Sequence, residues 1–146
     1  MEELRNTREA APTDEEMSVF DALRDYNEAQ VGPSGHQPLT LFVRDGTGSV
    51  VGGLRGSTHW GWLYVSMLVV REPVRRQGWG SRLLAAAEAE AATRGCRHAY
   101  LDTFNFQALT FYERQGYTVF GTLDDFPPGG HRRYFLKKDL APPEGE

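Results

Sequence analysis

Residues 67–81 read Met-Leu-Val-Val-Arg-Glu-Pro-Val-Arg-Arg-Gln-Gly-Trp-Gly-Ser and contain the junction that decides the fold. The apolar run 67–70 is typical of a central strand that is buried on both faces. Residues 81–94 are rich in Leu, Ala and Glu and predict a helix that ends at Gly95, with an apolar face of Leu83, Leu84, Ala87 and Ala91. A strand over 98–103 follows, so this stretch predicts a β-α-β unit with a tight glycine turn at its first junction.

The flanking segments predict further strands and helices around this unit. Upstream, we expect a weak strand over 2–8, a helix from the N-cap Thr13 to about residue 29, and strands over 39–44, 49–57 and 60–70. Downstream, we expect a short helix over 107–115 and two strands over 117–123 and 132–137. The resulting order is β-α-β-β-β-α-β-α-β-β, which predicts an α/β (α+β) fold with a mixed sheet. We expect one domain over 1–140 and a loose tail over 141–146.

Composition excludes several classes of protein. The 146 residues suffice for one domain with a core, and their 40% apolar content excludes disorder along the whole chain. A net charge of −4 is unlike a dedicated nucleic-acid binder. No stretch has the apolar length of a membrane span, and Cys96 stands alone, so we expect no membrane association, no cysteine-rich metal site and a cytoplasmic location.

The glycine turn at 75–81 is suited to holding a phosphate. The first N–H groups of a helix have no backbone partners and carry partial positive charge, and glycines allow an anion to approach them. A P-loop pattern is absent, and the third glycine of a dinucleotide fingerprint is replaced by Leu83. The remaining pattern is Arg75-x-x-Gly78-x-Gly80, although a tight strand-to-helix turn with surface arginines would have the same sequence.

Two motifs together resemble the GCN5-related N-acetyltransferase (GNAT) family. The first is the Arg75-x-x-Gly78-x-Gly80 turn, which resembles the family's pyrophosphate-binding motif. The second runs from Asn105 through Ala108, Phe111 and Tyr112 to Gly116-Tyr117, and is similar to the family's Asn-x-x-Ala-x-x-Phe-Tyr-x-x-x-Gly-aromatic signature. With the order of elements, the resemblance covers residues 40–138. It implies a mostly antiparallel sheet with a β-α-β core that binds acetyl-CoA.

The resemblance implies transfer of acetyl from acetyl-CoA to an amine, without a metal. The turn would hold the pyrophosphate, the 68–70 edge would pair with the pantetheine arm and polarise the thioester carbonyl, Asn105 would bond the arm, and Phe111 would pack beside it. The cofactor-binding residues predicted on this basis are Leu68, Val69, Val70, Arg75, Arg76, Gln77, Gly78, Trp79, Gly80, Ser81, Asn105 and Phe111.

Tyr112 is the predicted catalytic residue, because the matching tyrosine of the family can protonate the departing thiolate. Its alternative role is that of a half-buried aromatic with a satisfied hydroxyl. The base is less defined, because Ser66 stands where relatives often carry Glu. Ser66 could order a water, and the other candidates are Glu72, Asp102, Asp124, His59, His98 and His131, each of which also suits a structural or surface role.

The acceptor pocket is predicted to form from Asn27, Trp60, Trp62, Phe126 and His131. The expected partner is an amine of a small molecule or peptide, with no nucleic acid and possible homodimer formation. A cationic amine is favoured by the acidic first helix and by Asp124 and Asp125. Two alternatives stay open: a sensor that binds acetyl-CoA without catalysis, for which Ser66 argues, and an adaptor that uses exposed aromatic side chains.

Overall fold

A computed structural model describes residues 13–143. The strand predicted over 2–8 and the last three residues of the predicted tail lie outside the described residues. The chain forms two compact units that divide between Ser34 and Gly35, and the expectation of one domain over 1–140 stays a prediction.

The first unit contains helix α1, Asp14–Val31. Thr13 caps it as predicted: its hydroxyl accepts from the Glu16 N–H at 3.2 Å, and the Glu16 carboxylate accepts from the Thr13 N–H at 3.3 Å. Such a reciprocal box satisfies two N–H groups that the helix itself leaves unpaired. The helix ends at Gly32, whose φ of 88° few other residues adopt readily.

The second unit is a six-stranded sheet with two α-helices and a 3-10 turn. The strands are β1 (Gln37–Arg44), β2 (Val50–His59), β3 (Trp62–Val70), β4 (His98–Phe104), β5 (Thr118–Asp124) and β6 (Arg132–Asp139). The helices are α2 (Trp79–Thr93) and α3 (Leu109–Arg114), and the 3-10 turn is Glu72–Val74. The sheet order is β1-β2-β3-β4-β6-β5, and only the β3–β4 pair is parallel. This confirms the predicted mixed, mostly antiparallel sheet.

Helix α2 covers the buried face of the sheet. It buries the predicted apolar stripe together with Ala92, and the sheet contributes Leu54, Leu63, Leu101 and Leu136, each less than 2% exposed. Small alanines on the buried stripe permit close approach of helix and sheet. The hydrophobic core therefore lies on the α2 side of the sheet and fixes β3 and β4 through that face.

Among the boundaries that differ from the prediction, the starts of β3 and α2 each differ by two residues. Trp60 was expected to begin a strand, but it has a φ of 43° and forms a two-residue turn with Gly61, so β3 begins at Trp62. Positive φ at both positions is the geometry of a tight hairpin. Helix α2 begins at Trp79 rather than Ser81, which places Trp79 and Gly80 in its first turn.

A bulge in β3 turns the second half of the strand. The pairing with β2 passes from Gly56–Val65 to Arg55–Met67, so Ser66 is the extra residue. A Cβ atom at Gly56 would overlap the Tyr64 carbonyl oxygen, and the bulge therefore requires glycine there. The extra residue reverses the alternation of the strand from that point.

Strands β3 and β4 separate beyond the bulge. Their pairing ends at Val65–Leu101, whereas β4 stays paired with β6 along its whole length. The expectation that residues 67–70 are buried on both faces was wrong, because Met67 is 53% and Val69 48% exposed. The apolar character of the second face is explained by a cavity that opens between the two strands.

Candidate active site

A cavity of about 810 Å³ lies where β3 and β4 diverge. Its lining is residues 65–70 of β3, Arg75, Arg76, Gly78, Trp79, Gly80, Ser81, Asp102, Thr103, Phe106, Gln107, Ala108, Phe111 and Tyr112. Of the twelve predicted cofactor-binding residues, it brings together all but Gln77 and Asn105. Beyond Val65, β3 has no β4 partner, so this edge is open to a ligand that pairs as a strand does.

The first turn of α2 supplies backbone donors at one end of the cavity. Gly78 caps the helix in a left-handed conformation, φ 82°, which the tight entry into the helix requires. Its carbonyl accepts from the Arg82 N–H at 3.1 Å. The N–H groups of Trp79, Gly80 and Ser81 precede the first helical donor, and helix geometry gives them no backbone acceptor. This end of the cavity is therefore suited to an anion.

Side chains around this turn fix its position. Arg75 Nε donates to the Val70 carbonyl at 2.8 Å and so ties the turn to the end of β3. The Gln115 amide donates to the Ser81 hydroxyl at 3.0 Å and ties α3 to α2. A Cβ at Gly80 would lie 3.3 Å from Cζ of Phe111, so this glycine also lets the Phe111 ring approach the helix.

Tyr112 lies on α3 and is 7% exposed as a residue, between the rings of Phe111 and Tyr117. Among residues 13–143, no side chain or backbone group hydrogen-bonds its hydroxyl, and Tyr112 lines the cavity. Burial, and then the negative charge of Asp102, raise the pKa of Tyr112 to about 12. The hydroxyl therefore stays protonated at neutral pH and can act as a donor.

Asp102 contributes the single carboxylate of the cavity lining within the described chain. Both contacts from the Arg133 guanidinium reach its Oδ1, from Nε at 2.9 Å and from Nη2 at 2.7 Å. The Tyr64 hydroxyl donates to Oδ2 at 3.4 Å, and burial followed by this carboxylate raises the pKa of Tyr64. The Arg133 guanidinium lies 4.9–5.5 Å from the ring centres of Phe104, Phe126 and Phe135.

Asn105 serves the loop after β4 rather than the lining. Its Oδ1 accepts from the Arg132 N–H at 3.0 Å, and its amide lies 3.4 Å from His131 Nδ1. Gln107 closes the same loop, because its side-chain oxygen accepts from the Phe104 N–H at 3.0 Å. Asn105 thereby joins the end of β4 to the β5–β6 connection.

The predicted acceptor residues divide into two groups. Phe126 and His131 are not in the cavity lining: the His131 ring centre is 5.3 Å from that of the lining residue Phe106, and the Phe126 ring centre is 5.6 Å from that of Phe104, which is also outside the lining. Trp60 and Trp62 lie at the other end of β3, where Trp62 stacks on His98 at 4.6 Å, and the structure does not bring them to the cavity.

Asn27 lies on α1 in the first unit, so its part in an acceptor pocket stays a prediction.

Ser66 does reach the cavity, and its hydroxyl donates to the Arg55 carbonyl at 3.0 Å. This hydrogen bond joins the bulged residue of β3 to the facing strand β2 and so stabilises the bulge. The structural role of Ser66 is therefore to maintain the shape of β3.

Six lining residues were not among the predicted site residues: Val65, Met67, Thr103, Phe106, Gln107 and Ala108. The last four of them surround the turn between β4 and α3. The Asn105–Tyr112 motif spans this turn, so the place of the motif in the sequence was the signal that residues around the turn could line the site.

Two classes of feature are not found among residues 13–143. No group of three or more His, Cys, Asp or Glu side chains is arranged to hold a metal ion. No helix in that range combines the length and apolar character needed to cross a bilayer.

Comparison with known proteins gives consistent matches. The sequence profile of the Acetyltransferase (GNAT) family matches residues 1–117. Acetyltransferase Atu2258 of Agrobacterium fabrum (strain C58) is 45% identical over 121 residues, 83% of this chain and 88% of that protein. A crystal structure of a candidate acetyltransferase from Agrobacterium tumefaciens superposes with a TM-score of 0.85 at 40% identity, over 94% of this chain and 100% of that one.

A third relative has a name that states its substrate. It is the blasticidin-S acetyltransferase of Streptomyces morookaense, 45% identical over 83 residues, which are 56% of this chain and 61% of that protein. The matched part thus leaves more than a third of that relative unaligned.

Proposed function

Because the chain belongs to the GNAT acetyltransferase family, we propose that it moves the acetyl group of acetyl-CoA to the nitrogen of a small-molecule or peptide amine. The observation that carries this proposal is the cavity between the diverging strands. It combines a helix start whose free N–H groups suit an anion, an open strand edge and a buried tyrosine whose hydroxyl stays protonated, within one continuous space.

Acetyl-CoA fits the order of these features. Its pyrophosphate would accept from the N–H groups of residues 79–81, with Arg75 and Arg76 adding charge. Its pantetheine arm carries amides, which would pair with the open β3 edge along residues 67–70. A β3 N–H near the bulge would donate to the thioester carbonyl and stabilise the oxyanion that develops there.

Direct attack by the amine needs no covalent enzyme intermediate. The amine nitrogen bonds to the thioester carbon, the carbon–sulfur bond breaks, and the sulfur leaves as a thiolate. An ammonium loses two protons on becoming an amide; one ends on the sulfur and one in solvent. Tyr112, which lines the cavity, would donate to the sulfur as negative charge develops on it.

The free amine is scarce at neutral pH. With an amine pKa near 10.4, holding the neutral form at pH 7 costs about 5 kcal/mol. Ser66 cannot accept that proton as a carboxylate would, and its hydroxyl already donates to the Arg55 carbonyl. We therefore place Ser66 in the architecture of the bulge, where it could order a water for proton loss.

The test is a transfer assay with purified protein. Blasticidin S, kanamycin, spermidine and a lysine-containing tripeptide are each incubated with acetyl-CoA, and the free CoA thiol and the N-acetylated product are quantified together. We expect equal amounts of thiol and N-acetyl product with at least one amine. Tight acetyl-CoA binding without transfer to any of them would favour the sensor, and absence of acetyl-CoA binding would favour the adaptor.

A further inference from the structure

The cavity lining carries side chains of opposite charge. Arg75 and Arg76 lie by the start of α2, where the cofactor's phosphates are proposed to bind. Asp102 is the one acidic side chain of the lining among the described residues, and it lies on β4. A carboxylate at this position repels the phosphates of the cofactor, so its charge suits the other substrate.

Asp102 approaches the cavity from the face of the sheet opposite α2. Its neighbours Leu101 and Thr103 are buried, at 1% and 2% exposure, and successive side chains of a strand point to opposite faces. Tyr112 belongs to the core on the α2 side. The gap between β3 and β4 connects the two faces of the sheet. The Asp102 carboxylate and the Tyr112 side chain therefore reach one cavity from opposite sides of the sheet.

This arrangement matches the geometry of acyl transfer. The nucleophile and the leaving sulfur occupy different sides of the carbonyl carbon in the tetrahedral intermediate. If Tyr112 serves the sulfur from the core side, the amine is served from the opposite side, where Asp102 lies. The Asp102 charge is felt at both tyrosines, since it raises the pKa of Tyr112 and of Tyr64 in addition to the effect of burial.

Arg133 leaves part of the carboxylate available. Its two contacts both go to Oδ1, whereas Oδ2 receives one long contact, 3.4 Å from the Tyr64 hydroxyl. An ionised carboxylate has about four acceptor positions, so Oδ2 can accept from an ammonium group without displacing Arg133. The three rings around Arg133 hold the guanidinium in place, which makes it a positioning residue for Asp102.

We propose that Asp102 binds the ammonium group of a cationic acceptor through Oδ2 and places its nitrogen beside the thioester, which makes the protein selective for positively charged amines. The inference rests on the proposed function and adds the substrate class to it. Loss of one proton from the bound ammonium to solvent then frees the nitrogen lone pair for attack on the thioester carbon.

The test compares Asp102→Asn with the wild type in two assays. In the transfer assay, we expect the KM for a cationic amine to rise about 10- to 150-fold, the range for a lost hydrogen bond to a charged group, while the KM for acetyl-CoA changes less than twofold. In the binding assay, calorimetry measures spermidine with the protein–CoA complex, where no turnover occurs. We expect its dissociation constant to rise by a similar factor.

Two further variants separate charge from structure. Asp139→Asn removes a 91% exposed carboxylate, paired with His98 at 2.8 Å outside the cavity, and should leave both measurements unchanged. Asp102→Glu keeps the charge and should retain the tight binding of spermidine. If Asp102→Asn does not unfold cooperatively, the comparison of Asp102→Glu with the wild type in spermidine binding is used as the test instead.

The outcomes are distinguishable from failure of the proposed function. A wild type that acetylates none of the amines contradicts the proposed function, and the spermidine measurement still decides the role of Asp102. Unchanged spermidine binding and KM in Asp102→Asn, an equal rise in the KM for acetyl-CoA, or a wild-type complex that does not bind spermidine would overturn the inference.

Discussion

Replacing Tyr112 by Phe tests how the departing sulfur is stabilised. The pKa of Tyr112, about 12, exceeds that of an ordinary thiol by about 3.5, so complete proton transfer to the thiolate is uphill by about 5 kcal/mol. Donating a hydrogen bond to the charged sulfur does not require this uphill transfer, and it is the role we expect for Tyr112. Such a bond contributes about 1.5–3 kcal/mol, which corresponds to a 10- to 150-fold lower kcat in Tyr112→Phe.

The assay is steady-state release of CoA thiol at several acceptor concentrations. We expect kcat to fall within that range while the dissociation constant for acetyl-CoA stays within twofold, because the ring remains in place. The wild-type kcat should also show no loss attributable to Tyr112 between pH 7 and 10, since its hydroxyl remains protonated below the raised pKa.

Tyr117 provides a matched control for the same substitution. It is a buried neighbour whose ring centre lies 6.0 Å from that of Tyr112, but its hydroxyl donates to Glu88 at 2.9 Å and is outside the cavity lining. Tyr117→Phe should keep kcat and lose about 1.5–3 kcal/mol of unfolding free energy, measured by urea denaturation. An unchanged kcat in Tyr112→Phe, or equal loss of kcat in both variants, would refute the reasoning.

Two glycine substitutions test the backbone around the cavity. Gly78→Ala places a side chain at φ 82°, where no atom lies within 4 Å of the new Cβ, so the cost comes from the backbone conformation alone. We expect it to lose about 1–2 kcal/mol of unfolding free energy and to bind acetyl-CoA more weakly. Gly48→Ala, at φ 87° in an open turn outside the cavity lining, should lose the same unfolding free energy and keep the acetyl-CoA affinity. Gly56→Ala forces a Cβ onto the Tyr64 carbonyl oxygen, so it should lose about 1–3 kcal/mol in urea denaturation and lower kcat through the bulge, whereas Gly121→Ala, with 4.0 Å to its nearest atom, should be tolerated. Equal acetyl-CoA affinity in Gly78→Ala and wild type, or normal kcat in Gly56→Ala, would contradict these expectations.

Local sequence signals predicted the parts of the site that depend on neighbours in the chain. The Gly78 turn, the apolar stripe of α2 and the capping of α1 by Thr13 are set within a few residues, and each is confirmed. The position of Tyr112 followed from a contiguous motif, and the structure places it in the cavity.

The features that were not predicted depend on strand register and on distant pairs. The bulge at Ser66 is defined by its pairing with β2, eleven residues away in sequence. The ion pair between Asp102 and Arg133 joins strands whose adjacency follows from the sheet order. An alternating pattern marks Asp102 only as a polar position, and it cannot show that β3 separates from β4 beside it.

A crystal structure of the protein with acetyl-CoA tests the central claim most directly. We expect the pyrophosphate within hydrogen-bond distance of the backbone N–H groups of residues 79–81, the pantetheine arm along the β3 edge over 67–70, and the sulfur beside the Tyr112 hydroxyl. Pyrophosphate bound away from the α2 start, or a thioester distant from Tyr112, would contradict the account.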